Sequence, residues 1–416
     1  MKPHIVFVIN YFYPDYASTG QLLTELCLHI QKDFRITVIA AMAENGEQGP
    51  AADSKSRFAK EQLEDITIIR VKLPKVDKSN KWSRLRYIAS YFLYASLAML
   101  RQKKVDFIYT ISSPPILGGL IGTIGKRLLR AKHIYNIQDF NPEQAEAVSF
   151  MKSKKLYSIA RWVDTFNCKQ ADHIITVGLD MQQTLFKRLA AHSLPANTVI
   201  NNWTDEQAIV PLDKAHPKVA RFLEQHGLTG KFVVMYSGNM GLYYDLENLI
   251  KVTESFSQYP DIAFVFIGDG AVKKRMQAYV EDKGLSGVHF LPFQPKEELV
   301  YSLNAADVHL VVNQKGIKGV SVPSKIYGVM AAGRTVLGVL EEGSEAYRLI
   351  RESGCGVVVE PQQYGEVASN LRTLYGMDQA RLAAYGLSGR MYLEQYLRRD
   401  ISLEKYRKLL LSMSGA

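Results

Sequence analysis

The sequence predicts an α/β protein of two domains, each built on a doubly wound parallel sheet. Three observations predict this class. The chain has 416 residues, more than one ordinary hydrophobic core accommodates. Short apolar runs alternate with longer segments of helical periodicity, as in βαβ units. Two such series follow one another, and the polar segment 199–213, which contains Pro211, separates them.

Each series contains six predicted strands. Those of the first series are residues 4–10, 35–41, 66–72, 105–111, 133–138 and 173–177. Those of the second are residues 231–237, 262–268, 287–291, 307–312, 335–339 and 356–359. We therefore assign residues 1–205 and 206–388 to the two domains, and we expect a helical segment, 389–416, to pack back across the join.

Composition is that of a folded protein, with 47% hydrophobic and 22% charged residues. Three cysteines, Cys27, Cys168 and Cys355, lack metal or redox spacing and fit a reducing compartment. The start, MKPHIVFVIN, has a short apolar run and no cleavage signal, so it predicts a buried strand. We expect a cytoplasmic protein.

The net charge of +10 is concentrated in one segment. Residues 70–104 contain ten lysines and arginines against Asp77 alone. Nucleic acid, an anionic membrane, an acidic polymer or plain solvent are all compatible with such a run.

Within that segment, residues 81–104 have apolar and aromatic residues between basic ends. The apolar stretch of about fourteen residues is shorter than the roughly twenty that a bilayer span needs. Trp82, Tyr87, Tyr91 and Tyr94 suit a membrane interface with basic residues reaching anionic head groups. A core helix with a basic rim explains the same pattern, and the sequence leaves both interpretations open.

Glycine-bearing turns follow several of the predicted strands. Ligands of open parallel sheets bind beyond the carboxyl ends of the strands, so two facing sheets predict a site in the cleft between them. Glycine lets the backbone approach a ligand closely. These turns contain Gly20 in the first series and Gly238, Asn239, Gly241, Gly268, Asp269 and Gly270 in the second.

A further turn, GVSVPSKIYGVMAAGRTVLG at 319–338, runs into a short helix between Pro323 and Gly333. Ser324 and Lys325 stand at its start, where main-chain amides and an ammonium group favour an anion. Neither a GxxxxGK[ST] loop nor a GxGxxG turn is present, which argues against a P-loop and a dinucleotide dehydrogenase. The combination predicts a nucleotide diphosphate held by backbone amides and one lysine.

At this level of detail the chain resembles retaining glycosyltransferases of family 4, which have the GT-B fold of two facing Rossmann-like domains with an inter-domain cleft. The resemblance covers nearly the whole chain. Its details are most similar to the branch that transfers fucose-type or N-acetylfucosamine-type sugars in bacterial polysaccharide assembly. The segments that carry it are YFYPDYASTG, QDFNPEQ, NNWTD, YSGNMG, FIGDG, LPFQPKEEL and VPSKIYGVMAAGRTVLG.

The resemblance implies roles for particular residues. Lys325 would neutralise the diphosphate with help from Ser324, and Asp139 would orient or activate the acceptor with Glu143 beside it. A structural alternative for Asp139 is a helix N-cap before Pro142. The remaining donor residues implied are Gly20, Gly238, Asn239, Gly241, Gly268, Asp269, Pro292 and Phe293.

Three departures from the family pattern concern two features of the donor site and one residue of the N-terminal domain motif. The usual Arg and Lys of the donor turn are not evident in GNMGLYYDLE, so Lys325 would carry most of the phosphate charge. Many members carry a Glu-x7-Glu pair, and this register places its two positions at Val320 and Gly328, so both carboxylates are missing. We expect Glu345, or its neighbours Glu341 and Glu342, to contact the ribose instead. Gln138 stands where many members have a histidine.

The resemblance implies a metal-independent hexosyltransferase with no cofactor. Its donor would be a UDP- or GDP-linked sugar, and its acceptor a saccharide or a lipid-linked saccharide at the inner face of a membrane. No nucleic acid is expected. Two alternatives remain: a nucleotide-sugar 2-epimerase of the same fold, and a non-catalytic donor-binding subunit. The linkage, the sugar and the oligomeric state are not encoded in any motif that we find.

Overall fold

The computed structural model describes residues 2–15, 18–42, 56–75, 80–148, 153–189 and 194–415. Tyr16 and Ala17 of the predicted first turn, Asp77 and Lys78 of the basic segment, and the side chains of Lys81 and Arg84 lie outside the described part. The chain forms two compact units. Unit 1 comprises Met1–Glu146, Met151–Asn201 and Leu403–Ala416, and unit 2 comprises Ala147–Phe150 and Asn202–Ser402.

Unit 1 is built on an eight-stranded sheet in the order β3-β4-β2-β1-β5-β6-β7-β8. Every neighbouring pair is parallel except β3 and β4. Its strands are β1 (His4–Val8), β2 (Arg35–Ala41), β3 (Phe58–Leu63), β4 (Ile66–Val71), β5 (Phe107–Ile111), β6 (Lys132–Ile137), β7 (His173–Thr176) and β8 (Ala196–Val199). Its helices are α1 (Ser18–Ile30), α2 (Lys81–Leu100), α3 (Leu117–Leu129), α4 (Glu143–Ala147), α5 (Lys154–Gln170) and α6 (Leu179–Arg188).

All six strands predicted for the first series are present, and the structure adds two that were not predicted. Those two, β3 and β8, lie at the two edges of the sheet. Edge strands bury little apolar area, and FAKEQL and ANTV accordingly lack the apolar run that marks β1, in which every residue is buried.

Helix α3 lies between α2 and α5, contacting both, and packs against β5 and β6. Its glycines permit this close packing. A Cβ added to Gly118 would lie 1.9 Å from the Ile111 carbonyl oxygen, and one added to Gly122 would lie 1.9 Å from His133 Nε2. Any larger side chain at these positions would push α3 off the sheet.

One member of the basic segment is not on the surface. Arg70 is only 2% exposed, and its guanidinium pairs with Glu61 and donates to the Ala41 carbonyl oxygen. Arg70 is therefore not available to an external partner, and the charge of the segment that faces solvent comes from its other basic residues.

The last helix, α15 (Arg399–Ser414), contributes residues 403–414 to unit 1. The buried Tyr406 hydroxyl accepts a hydrogen bond from Asn136 Nδ2 at 2.8 Å. Arg407 pairs with Asp33 at 2.7 Å. The helical character predicted from Gly389 onward is present, with an interruption at Arg398.

Unit 2 is built on a six-stranded parallel sheet in the order β11-β10-β9-β12-β13-β14. Its strands are β9 (Phe232–Ser237), β10 (Ile262–Ile267), β11 (Val288–Leu291), β12 (Val308–Val312), β13 (Thr335–Val339) and β14 (Gly356–Val359), which are the six predicted ones. Its helices are α7 (Pro217–Gln225), α8 (Leu246–Leu249), α9 (Lys273–Asp282), α10 (Leu299–Asn304), α11 (Lys325–Ala331), α12 (Glu345–Ser353), α13 (Tyr364–Tyr375) and α14 (Gln379–Tyr392).

The core of unit 2 lies on both faces of this sheet. Alternate residues of β9 face opposite sides, so Val234 and Tyr236 join one apolar cluster while Val233 and Met235 join another. Burial on both faces is what a central parallel strand requires, and the near-continuous apolar runs of the sequence follow from it. Within the described ranges, no helix is long and apolar enough to cross a membrane.

Candidate functional site

The predicted glycine turns of unit 2 lie side by side at the carboxyl edge of its sheet. Gly238, Gly268 and Gly270 have φ of 142°, 133° and 156°, which L side chains rarely adopt. A Cβ on Gly268 would lie 2.1 Å from the Gly238 carbonyl oxygen, and one on Gly270 would lie 2.3 Å from that of Met240. The loops after β9 and β10 can therefore touch only because glycine occupies these positions.

Hydrogen bonds between the two loops fix this edge. Met240 N–H donates to the Asp269 carbonyl oxygen at 2.8 Å, and Val272 N–H donates to that of Met240 at 3.1 Å. The Asp269 carboxylate accepts from the Gly270 amide, and Lys273 Nζ donates to the Gly268 carbonyl oxygen at 2.8 Å. The edge is thus a preformed, rigid surface of main chain.

Lys325, the first residue of α11, reaches this edge. A Cβ added to Gly238 would lie 3.0 Å from Lys325 Cε, so the lysine stem lies directly against the first glycine turn. Its Nζ donates to the Tyr236 hydroxyl at 2.9 Å. The ammonium also lies 4.4 Å from the centroid of the Tyr236 ring and 4.0 Å from that of Tyr244.

Among the described residues, the partners of this ammonium are the Tyr236 hydroxyl and the rings of Tyr236 and Tyr244. No carboxylate of the described residues pairs with it. Burial lowers the pKa of Lys325 to about 7, and no charged neighbour offsets that effect. The two ring faces and the Tyr236 oxygen stabilise the cation only in part. An uncompensated ammonium beside a glycine edge is arranged to receive an anion.

Tyr236 and Tyr244 are the site residues that sequence reasoning missed. Tyr236 ends β9 immediately before the first glycine turn, and its hydroxyl donates to the Asn239 carbonyl oxygen at 2.6 Å. Burial raises the pKa of Tyr236 well above its usual value, so it remains a neutral donor. Two features of the sequence could have indicated this role: the position of Tyr236 next to the turn, and the absence of the family's usual basic residues from GNMGLYYDLE.

Ser324 caps α11 in a helical conformation without a side-chain hydrogen bond to the helix. The next amides are already engaged: Ile326 N–H donates to the Pro323 carbonyl oxygen and Tyr327 N–H to that of Ser324, both at 3.2 Å. The lysine is therefore the stronger anion contact here, and assistance from Ser324 stays a prediction.

Phe293, predicted with Pro292 to border the nucleotide base, lies beside the second glycine turn. Its ring is 57% exposed, and its Cε1 would be 3.2 Å from a Cβ on Gly268. An exposed aromatic ring next to a main-chain edge suits stacking on a planar ligand. Asn239 lies between the turns, with its side chain against both Gly241 and Gly270.

The predicted ribose contact, Glu345, is 1% exposed and pairs with Arg348 at 2.7 Å. Glu341 accepts from the amides of Gly316 and Lys318 at 2.8 and 3.0 Å, which holds the loop after β12. These contacts account for both carboxylates without a ligand, and a ribose role for Glu345 stays a prediction.

The two positions that lack carboxylates differ in their surroundings. Val320 is buried, at 5% exposure. Gly328 is half-buried on α11, and a Cβ built there would meet only Leu303 Cδ1, at 3.7 Å. The structure therefore leaves room for a side chain at Gly328, one helical turn from Lys325.

The predicted acceptor residues lie in unit 1, in the segment after β6. The half-buried Asp139 accepts a hydrogen bond from Gln144 Nε2 at 3.0 Å, and its amide donates to Ser112 Oγ. Glu143 pairs with Arg161 and with the buried Arg188. Burial would raise the pKa of Glu143, but the charge of Arg188 and the hydrogen bonds that the carboxylate accepts, including those from Arg188 and Arg161, together lower it.

Gly20, predicted to face the diphosphate, is the third residue of α1, the helix that follows β1. A Cβ there would lie 3.2 Å from the Tyr11 main chain, so the close packing of α1 on that loop by itself favours glycine. The roles of Gly20, Asp139 and Glu143 toward substrates stay predictions.

Comparison with known proteins places this geometry in context. Residues 220–385 match the family model described as Glycosyl transferases group 1, a segment that contains Lys325 and both glycine turns. The chain is 28% identical over 406 residues to a probable glycosyltransferase, WbjE, of Pseudomonas aeruginosa, covering 96% of each chain. It is 23% identical over 383 residues to WcaI of Escherichia coli K12, a putative colanic acid biosynthesis glycosyl transferase, covering 88% of this chain and 91% of that one.

Solved structures share the fold over almost the full length. Sucrose-phosphate synthase of Thermosynechococcus elongatus matches with a TM-score of 0.75 at 14% identity, covering 99% of both chains. Anabaena HepE in complex with UDP matches with a TM-score of 0.71 at 16% identity, covering 99% of this chain and 100% of that one. The predicted two-domain fold with parallel sheets is confirmed, and the sequence of unit 2 carries, over residues 220–385, the pattern of the glycosyl transferases group 1 family.

Proposed function

We propose that this chain is a retaining, metal-independent glycosyltransferase that moves a sugar from a UDP- or GDP-linked donor to a saccharide acceptor in bacterial surface polysaccharide synthesis. The observation that carries the proposal is the Lys325 ammonium, held against the Gly238 turn by aromatic rings and paired with no described carboxylate.

A nucleotide diphosphate fits the chemistry of this edge. Phosphate oxygens satisfy the ammonium, and the side-chain-free surface at Gly238 and Gly268 lets them approach the main chain. Phe293 offers its exposed ring to the base at the β10 side of the edge. One cation, one stacking ring and a glycine edge together select a donor of this class over a simple phosphate.

The named relatives support the same class of reaction. WbjE is described as a probable glycosyltransferase and WcaI as a putative glycosyl transferase of colanic acid biosynthesis, a bacterial polysaccharide. Structures of Anabaena HepE are described in complex with UDP and with UDP-glucose. These descriptions favour a nucleotide sugar as donor and polysaccharide synthesis as the setting.

In this reaction the bond between the anomeric carbon and the diphosphate oxygen breaks, and the anomeric carbon forms a bond to an acceptor hydroxyl oxygen. Negative charge develops on the leaving diphosphate, where the fixed Lys325 ammonium stabilises it. Asp139 orients the acceptor hydroxyl, and the acceptor proton passes to an oxygen of the leaving diphosphate. The lipid of the acceptor brings the chain to the cytoplasmic face of a membrane, and residues 81–104 contribute to that contact.

A donor-binding subunit without catalysis is the second candidate, favoured by the missing carboxylates at Val320 and Gly328. A panel of UDP- and GDP-sugars, incubated with saccharide acceptors and assayed for free nucleotide, separates the two. A transferase releases nucleotide only with acceptor, a 2-epimerase changes the sugar at C2 without acceptor, and a binding subunit does neither.

The matched variants are Lys325→Ala and Lys283→Ala, the latter removing an exposed lysine at the end of α9. We expect nucleotide release to fall by about 100-fold or more in Lys325→Ala and to be unchanged in Lys283→Ala. Equal activity of the two variants contradicts the proposal. The configuration of the product at its anomeric carbon, measured by NMR, tests retention.

A further inference from the structure

Exposed apolar side chains of unit 1 are concentrated on three adjacent helices, α2, α3 and α5. We call the outward side of these helices the three-helix face. Its exposed large apolar residues are Trp82, Leu85, Leu93 and Leu97 on α2, Leu128 on α3, and Leu156, Ile159 and Trp162 on α5. Only four other large apolar residues among those described in unit 1 are exposed, so this is an unusual concentration.

These residues are not core positions left uncovered, because each outer helix has a separate inner side. On α2, Tyr91, Ala95 and Met99 are buried in a core cluster with β1 and β4. On α5, Tyr157 and Cys168 are buried, whereas Leu156, Ile159 and Trp162 repeat every three residues along the outer side. The core-helix interpretation of residues 81–104 is therefore correct for one side of α2, and the expectation that Tyr91 suits a membrane interface is wrong because that side chain is buried. The opposite side of α2 carries exposed apolar residues.

Charge on the three helices has a single sign. Their sequences contain nine lysines and arginines and one acidic residue, Asp164. Two of the nine are paired with carboxylates of neighbouring segments: Lys126 with Asp172, and Arg161 with Glu143 and Glu146. Asp164 is 2% exposed and pairs with Arg188, so it offers no charge to the surface. Arg86, Lys154 and Lys155 are exposed, and no described carboxylate pairs with them.

We propose that the three-helix face docks on an anionic phospholipid surface. Trp, Leu and Ile side chains enter the boundary between head groups and acyl chains, while lysines and arginines contact lipid phosphates. This deepens the proposed function, and rests on it, in that a lipid-linked acceptor requires the chain at a membrane. The α5 half of the surface was not expected from the sequence, which drew attention only to residues 81–104.

Other occupants fit this face less well. A second copy related by a two-fold axis would place the unpaired cations Arg86, Lys154 and Lys155 against other basic residues, since α2, α3 and α5 themselves carry no exposed acidic residue. Nucleic acid would contact the cations but gains little from leucine and isoleucine, which do not stack on bases. Packed helices lie about 8–10 Å apart, so α2 and α5, which both contact α3, lie roughly 20 Å apart and would make two separate contacts with the lipid surface.

Vesicle co-sedimentation with a charge-matched pair of variants tests the proposal. The test variant is Lys154→Glu/Lys155→Glu on α5, and the control is Lys405→Glu/Lys408→Glu on α15, two exposed lysines of unit 1 outside this face. Both change the net charge equally. Glutamate is favourable in the first turn of a helix, so the test variant retains its fold, which a thermal melt verifies.

On vesicles of phosphatidylcholine with 30% phosphatidylglycerol, we expect wild type to bind and bind more weakly as salt is raised. Each lysine near an anionic surface changes the partition by about fivefold, so the test variant loses about 25-fold or more. The logarithm of the loss in vesicle partition should be less than half as large for the control variant as for the test variant. The proposal is overturned if the wild-type protein does not bind these vesicles, or if both variants lose vesicle binding equally.

Tryptophan fluorescence provides a second readout. The chain has three tryptophans. Trp82 and Trp162 are exposed on this face, whereas Trp203 is buried. Brominated phosphatidylcholine in the anionic vesicles should quench wild type and leave Trp82→Phe/Trp162→Phe largely unquenched. Quenching that persists in the double variant, or a wild-type dimer that Ile159→Ser converts to monomer in light scattering, assigns the face to something other than lipid.

Failure of docking and failure of the proposed function are distinguishable. UDP binding and nucleotide release with a soluble acceptor are measured without vesicles, and we expect the test variant to retain both. Donor binding without membrane binding overturns the docking inference alone, whereas membrane binding without donor binding overturns the proposed function.

Discussion

The affinity of this protein for UDP should fall as pH rises above 7, because the group that binds the diphosphate loses its proton there. Burial lowers the pKa of Lys325 to about 7, far below the usual range for lysine. Only the ammonium form attracts phosphate. UDP itself is not the source of the change, since a terminal phosphate with a pKa near 6 is almost fully ionised throughout this range.

The magnitude follows from the protonated fraction of Lys325. That fraction is about 0.5 at pH 7 and about 0.03 at pH 8.5, and an apparent dissociation constant scales inversely with the competent fraction. UDP should therefore bind about 15-fold more weakly at pH 8.5 than at pH 7. Binding should also take up close to one proton per UDP at pH 8.

Isothermal titration in two buffers of different ionisation enthalpy measures both quantities. Lys325→Arg is the matched control, because a guanidinium stays charged across this range. We expect the control to bind UDP with little dependence on pH and no proton uptake. The reasoning is refuted if the wild-type affinity is constant from pH 7 to 8.5, or if Lys325→Arg shows the same slope.

The same shift has the opposite sign for stability. Between about pH 7 and 10.5 the unfolded chain keeps the Lys325 proton that the folded chain has lost. The free energy of unfolding should therefore rise with pH in this window relative to that of Lys325→Met, which has no proton to lose there. Urea unfolding of the two proteins at pH 7 and pH 9 measures this difference.

Three further predictions concern the glycine edge and its lysine. Gly268→Ala should lower the free energy of unfolding by about 3 kcal/mol or more and abolish UDP binding, because its Cβ would overlap a main-chain oxygen. The control Gly284→Ala, at positive φ but in open space, should lower the free energy of unfolding by about 1 kcal/mol. Thermal melts measure both changes. Tyr236→Phe should weaken UDP binding about fivefold in titration while preserving its pH dependence, since one hydrogen bond that orients the ammonium is lost; an unchanged affinity contradicts that role. Gly328→Glu should fold normally and flatten the pH dependence, because a carboxylate one turn from Lys325 raises its pKa; a slope as steep as that of wild type contradicts this.

Most of the fold was predictable because its strands are central and parallel. Such strands are buried on both faces, which leaves continuous apolar runs in the sequence, as in β9 and β10. β3 and β8 were missed because they are edge strands. Arg70 was counted with the basic residues of the segment 70–104, because charge alone does not reveal a buried ion pair of the kind it forms with Glu61.

The candidate site was predictable where chemistry depends on main chain or charge. Gly238, Gly268 and Lys325 stand out in sequence because each follows a strand, and the structure brings the three together. Tyr236 and Tyr244 were missed because an aromatic residue at a strand end usually belongs to the core. The exposed apolar side of α5 was also missed. Its periodicity is that of a buried helix face, and whether such a face is exposed depends on neighbours distant in sequence.

A crystal structure of the protein with UDP tests the central claim most directly. We expect a diphosphate oxygen within about 3 Å of Lys325 Nζ, with the phosphates over Gly238 and the base beside Phe293. A diphosphate bound elsewhere, with Lys325 still donating to Tyr236 alone, would contradict the account.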